Sequence, residues 1–256
     1  MSGSFKMKMA LTAMAWMLLV GAGWAQSSCI PPDSMKAKLT GEPDASALNE
    51  LGVWFGEQQK YDCAARAFAS SLQMDSHQKD FAHVAFEFGA SLYLSGDASE
   101  AISALQEAEK FGYNDIKLHL VLAQALDSTR AAHDAEVEWR AALEIDPEYS
   151  DALDSLSNDL IAGGNYKGAV ELLDNPRVAP QRTVQQAMNL AEAYARLNRL
   201  KDGENVLQDA VNTYPDSMPL AQQLATILTN LGRKDEAEAV LAIARDRQSN
   251  GTEAGH

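Results

Sequence analysis

The sequence predicts an all-α solenoid of about six helix-turn-helix hairpins. Three observations carry this. Apolar residues follow a helical period from Asp44 to Arg247, with no stretch of period-two alternation. Glycine-containing turns separate the apolar runs: Ser95-Gly96-Asp97, Gly163-Gly164-Asn165, Leu231-Gly232-Arg233 and, less cleanly, Gly56-Glu57-Gln58. Alignment on those turns stacks like residues in columns, and from Gly89 onward the columns recur every 34 residues.

The chain opens with a different pattern. Met1–Lys8 carries Lys6 and Lys8 and no acid, Met9–Val20 is an apolar run, and Gly23-Trp24-Ala25 places small residues where a signal peptidase reads. That order is a secretory signal peptide over 1–25, with cleavage after Ala25 and Gln26 as the new N-terminus. The expected destination is the periplasm or the exterior, with no membrane span after cleavage. The alternative is an uncleaved anchor helix, although the apolar run is short for a span of about 20 residues. Residues 26–43 contain Pro31-Pro32 and Gly41-Glu42-Pro43 and read as a linker with a turn of helix at Met35–Leu39. Cys29 and Cys63 would remain after cleavage, an even count that permits a disulfide in an oxidising compartment. The expectation is a bridge; two separate thiols are the alternative.

The hairpins occupy 44–247, in units near 45–81, 82–115, 116–149, 150–183, 184–217 and 218–247. On the first helix of each, a small residue recurs: Gly52, Gly89, Ala123, Ser157, Ala191 and Ala225. Three residues on stands a large one: Phe55, Leu92, Leu126, Leu160, Tyr194 and Leu228. The second helix repeats Ala64, Ala101, Ala135, Ala169, Gly203 and Ala237, followed four residues later by Phe68, Leu105, Trp139, Leu173, Leu207 and Leu241. Residues three and four apart share a helix face, so the large groups form one buried stripe per helix. The small ones let paired helices approach, and a large group there would cost about 1–3 kcal/mol by overpacking. Asp97 followed by Glu100 reads as a capping box. Pro147 and Pro215 close two units, since proline cannot continue a helix interior. The first unit is three residues longer, within Gln73–Asp80. The fourth is interrupted: Asn175-Pro176 cuts its second helix short, and Pro180 keeps the chain out of helix until about Thr183. His119 replaces an apolar core position and reads as a satisfied, partly buried histidine. Residues 248–256 are polar and read as a flexible tail.

These columns resemble the tetratricopeptide-repeat (TPR) family over Asp44–Arg247. The resemblance implies a right-handed superhelix whose first helices line a concave surface that receives peptides or helices. It implies a protein-interaction scaffold and no enzyme or cofactor. Carried over, the inward positions include His83, Phe86, Glu87, Tyr93, Gln124, Asp127, Asp154, Asn158, Met188, Asn189, Glu192, Gln222, Gln223 and Asn230. The family's carboxylate clamp is absent, because Val53, Glu87 and Val121 stand where it needs polar amides or cations.

Composition fits that reading. Thirty-six acids against 21 bases give a net charge of −15, which disfavours nucleic acid and anionic lipid as partners. No two histidines lie one helical turn apart, and Cys-x-x-Cys and glycine-rich phosphate loops are missing, so no metal or catalytic constellation is expected. The inward set is rich in amides with surplus acid, which suits a polar or basic polypeptide. Phe86 and Tyr93 are its candidate aromatic anchors; packing between adjacent units is the other reading of Phe86. Two functions stay open: a scaffold in envelope assembly or secretion, and an accessory or chaperone-like subunit that sequesters its partner.

Overall fold

A computed structural model describes residues 29–39, 43–76 and 79–253. The expected signal segment, 1–25, lies outside them. The described residues form thirteen α-helices and no strand. The chain divides into two compact units, one ending at Asn114 and one beginning at Asp115.

The first unit holds α1 (Asp33–Leu39), α2 (Ala45–Glu57), α3 (Tyr61–Met74), α4 (Phe81–Ser95) and α5 (Ala98–Lys110). Helices α2 and α3 form one hairpin and α4 and α5 the next. The segment expected as a linker is more ordered than a single turn. Its helix begins at Asp33, and Met35 and Leu39 pack against the core of Leu51, Phe55, Cys63 and Phe68. Cys29 and Cys63 are joined, with Cα atoms 5.3 Å apart, and both are fully buried. Lys38 adds an ion pair to Glu50 at 2.6 Å.

The second unit holds α6 (Ile116–Ser128), α7 (Ala132–Ile145), α8 (Ser150–Ala162), α9 (Tyr166–Leu173), α10 (Val184–Arg196), α11 (Leu200–Thr213), α12 (Met218–Asn230) and α13 (Lys234–Glu253). Helix α9 is short because Asn175-Pro176 stops it, and the chain then turns through a 3-10 helix at Ala179–Gln181 that includes Pro180. Thus Pro180 sits inside a helical turn, where its fixed φ is compatible. Helix α13 runs on to Glu253, so the expected flexible tail from 248 is helical for most of its length. Ala244 is buried on that helix while Ile243 is 54% exposed.

The turns explain the period. One residue with positive φ closes each hairpin: Gln59, Gly96, Arg130, Gly164, Asn198 and Gly232. The last five recur every 34 residues. The next residue's N–H then returns to the large residue of the first helix: Lys60 to Phe55, Asp97 to Leu92, Ala131 to Leu126, Asn165 to Leu160, Arg199 to Tyr194 and Arg233 to Leu228, at 2.7–2.9 Å. This is the left-handed helix stop that satisfies otherwise orphaned carbonyls. Position 56 is not the turn glycine of the first hairpin; Gln59 takes that role. Asp97 makes no side-chain cap, because its backbone (φ −92°, ψ 58°) leaves the extended region that a capping residue needs. The complete capping box is at Thr183 and Gln186, opening α10.

The columns are the core. Gly52, Gly89, Ala123, Ser157, Ala191 and Ala225 are all buried, as are Ala64, Ala101, Ala135, Ala169, Gly203 and Ala237. A methyl on Gly52 would lie 2.6 Å from the Phe68 ring, and one on Gly89 2.7 Å from Leu105. The smallness of this column is therefore a steric requirement of the hairpin.

Candidate functional site

Several inward residues of the second unit are engaged in hydrogen bonds between neighbouring helices. Asn189 on α10 is buried and donates to Ser157 Oγ and Asn158 Oδ1 on α8, each at 2.8 Å. Gln185 donates to Asn189 Oδ1 at 2.8 Å. Thr183 Oγ1 donates to Asp154 at 3.2 Å, and Gln186 reaches Ser150 Oγ at 3.2 Å. Gln223 on α12 donates to the Met188 carbonyl at 2.9 Å. These bonds form a polar ladder across α8, α10 and α12. Asn189 belongs to that ladder and not to an open ligand surface, because a buried amide needs its partners. Ser157 was the readable signal: a hydroxyl in an otherwise apolar column requires a polar neighbour.

Asp127 and Asp159 share another arrangement. Trp139 Nε1 donates to Asp127 Oδ2 at 3.1 Å, and burial raises the Asp127 pKa. Burial, and then the charges of Asp127 and Glu136, push Asp159 up to about 6. His119 bonds Glu138 at 2.8 Å within the same unit, a satisfied buried pair. The interrupted loop is packed: Val178 is buried, Tyr194 donates to Asp174 at 2.6 Å, and Arg182 donates to the Leu173 carbonyl at 2.9 Å. Burial and the Asp174 hydrogen bond raise the Tyr194 phenol to about 12. Gln124 and Gln222 are exposed, Met188 is half-buried, and Glu192 pairs with Arg196 at 3.3 Å.

In the first unit Phe86 is a packing residue. It is 6% exposed and stacks on Tyr113 with ring centroids 4.6 Å apart, so it is not an open anchor. Its helix places Phe86 toward α5 and the following loop, while Glu87, one residue on, turns outward. Tyr93 is half-buried.

Glu87 does line an open groove of about 490 Å³ between α1, α2 and α4. Its apolar surface comes from Met35, Val53, Trp54, Phe68 and Val84. Glu50, Glu57, Asp80 and Glu87 supply four carboxylates, with His83 3.6 Å from Glu87. Of these residues Glu87 and His83 are in the inward set read from the sequence, and Val53 stands at a position of the absent clamp. Glu50, Val53 and Glu57 were legible as one helical face at spacings of three and four. Met35 was not, since its place goes with the disulfide and the packing of α1 on the first core. Cys29, Asp62 and Cys63 lie close enough for a metal, but both sulfurs are committed to the disulfide. No helix among the described residues is long and apolar enough to cross a membrane.

No protein-family model matches the sequence, and no curated protein matches it. Solved structures do. A tetratricopeptide repeat protein from Parabacteroides merdae aligns with a TM-score of 0.61 at 16% identity, over 77% of each chain. YrrB, described as a TPR protein with an unusual peptide-binding site, aligns at 0.62 with 18% identity, over 74% of this chain and 96% of its own. MamA from Desulfovibrio magneticus RS-1 aligns at 0.56 with 19% identity, over 66% of this chain and 96% of its own. At such identities the likeness speaks for the fold. Together with the 34-residue turn period, it establishes that the chain has a tetratricopeptide-like fold, an all-α helical-repeat solenoid.

Proposed function

We propose that the chain is an exported scaffold that binds a segment of another protein and performs no chemistry of its own. The observation that carries this is the open groove of the first unit, with an apolar floor and a carboxylate rim. Such a surface suits a polypeptide that offers both aliphatic and basic groups. YrrB, a structure of similar fold, is described as having a peptide-binding site, which supports the class of ligand. Export is supported by the order of charged, apolar and small segments in 1–25 and by a disulfide that needs an oxidising compartment. Envelope assembly or secretion is the setting that fits such a scaffold.

The experiment is cross-linking and affinity capture from the envelope of the native host, with intact mass of the exported chain. We expect a chain beginning at Gln26 and a protein recovered in proportion to it. An exported chain retaining Met1–Ala25 would refute the cleavage. Failure to recover any protein specifically would refute the scaffold.

A further inference from the structure

Resting on that reading, we propose that the groove between α1, α2 and α4 docks a short basic segment carrying one aliphatic side chain, and that the disulfide-held α1 is one wall of the site. The charge argument comes first. Four carboxylates line the rim. Lys38 lies 2.6 Å from Glu50 and His83 3.6 Å from Glu87, while Glu57 and Asp80 have no ion pair among the described residues. The rim therefore repels acidic ligands and attracts lysine or arginine, with a salt-sensitive contribution. The floor supplies the second half of the specificity. Val53 is 48% exposed beside Trp54 and Met35, an apolar surface that water covers poorly. The volume falls in the range of about 300–1,000 Å³ typical of ligand clefts, enough to seat one side chain with its neighbours.

The wall comes from outside the repeat columns. Helix α1 precedes the repeats and is held at the groove by the tie of Cys29 to Cys63, at the start of α3, with Cα atoms 5.3 Å apart, and by the packing of Met35 and Leu39 on the first core. Arg66 Nη1 lies 3.9 Å from Cys29 Sγ, and the Lys38–Glu50 pair holds the far end. Met35 then closes the groove opposite α4. Loss of the covalent tie removes that closure while leaving the α2–α3 and α4–α5 hairpins to their own packing.

The test is fluorescence anisotropy with the oxidised chain and a labelled Lys-Lys-Leu-Lys-Lys peptide, against peptides with serine in place of leucine or glutamate in place of lysine. We expect binding of the first peptide alone, weakened by about tenfold on raising salt from about 50 to about 500 mM. Glu57→Lys with Glu87→Lys should abolish it, Glu100→Lys on α5 should leave it unchanged, and Cys29→Ser should weaken it by about tenfold with helical content retained. If Cys29→Ser lowers helical content, Met35→Lys, which keeps the disulfide, should show the same loss. Equal binding of the serine peptide overturns the aliphatic contact. Unchanged binding by the double charge reversal overturns the rim, and unchanged binding by Cys29→Ser or Met35→Lys overturns the wall. A chain that captures an envelope protein but not the Lys-Leu peptide refutes this site and leaves the scaffold standing.

Discussion

The Asp127–Trp139–Asp159 arrangement makes the packing of the second unit measurable. Burial, then the charges of Asp127 and Glu136, raise Asp159 from an ordinary 3.8 to about 6. Burial also raises Asp127. A carboxyl raised in this way binds more protons folded than unfolded between pH 3.8 and about 6. Stability is therefore highest below that window and falls as pH rises through it, the penalty being complete above about pH 6. A shift of this size corresponds to about 3 kcal/mol for a wholly buried group. Asp159 is only partly buried, so solvent screening reduces the figure to about 1 kcal/mol. Asp159→Asn removes the charge at nearly constant shape. We expect it to stabilise the unit by about 1 kcal/mol at about pH 7.5, with most of the difference gone at about pH 4. Urea unfolding followed by Trp139 fluorescence is the assay, in a chain beginning at Gln26 with Trp54→Phe so that Trp139 reports alone. A variant no more stable than its parent at the higher pH, or stabilised equally at both, would refute the reasoning.

Two further predictions concern the first unit. Phe86→Ala should destabilise it by about 3 kcal/mol or more, because the ring is buried and stacked on Tyr113; a loss under about 1 kcal/mol in denaturant unfolding would return Phe86 to the role of a surface anchor. Gly52→Ala should be destabilising by about 1–3 kcal/mol despite alanine's better helix propensity, since its methyl meets three Phe68 ring atoms within 2.7 Å. Gly56→Ala on the same helix meets nothing within 4 Å and should be neutral or stabilising by up to about 1 kcal/mol; if both glycines respond alike in their urea midpoints, steric demand is not what selects Gly52.

The sequence by itself determined the class of fold and its register. A 34-residue recurrence of small and large residues forces paired helices, because only a helix places residues three and four apart on one face. The glycine turns at Gly96, Gly164 and Gly232 were readable for the same reason: they stand where φ is positive. Arg130 and Asn198 occupy the equivalent backbone state without glycine, so only the folded backbone reveals that every hairpin closes in one way. The site was less legible. Glu87 and Phe86 are neighbours in the chain, yet one faces an open groove and the other lies under Tyr113, and that difference depends on how α4 is rotated against α5. Asn189 read as an exposed amide until its bonds to Ser157 and Asn158 placed it between helices. Met35 was readable only as the start of a helical turn in the linker, with nothing to mark it as part of a groove. Its place in the groove goes with the Cys29–Cys63 bridge and the packing of α1 on the first core, and a contact made across 34 residues of chain leaves no trace in local periodicity.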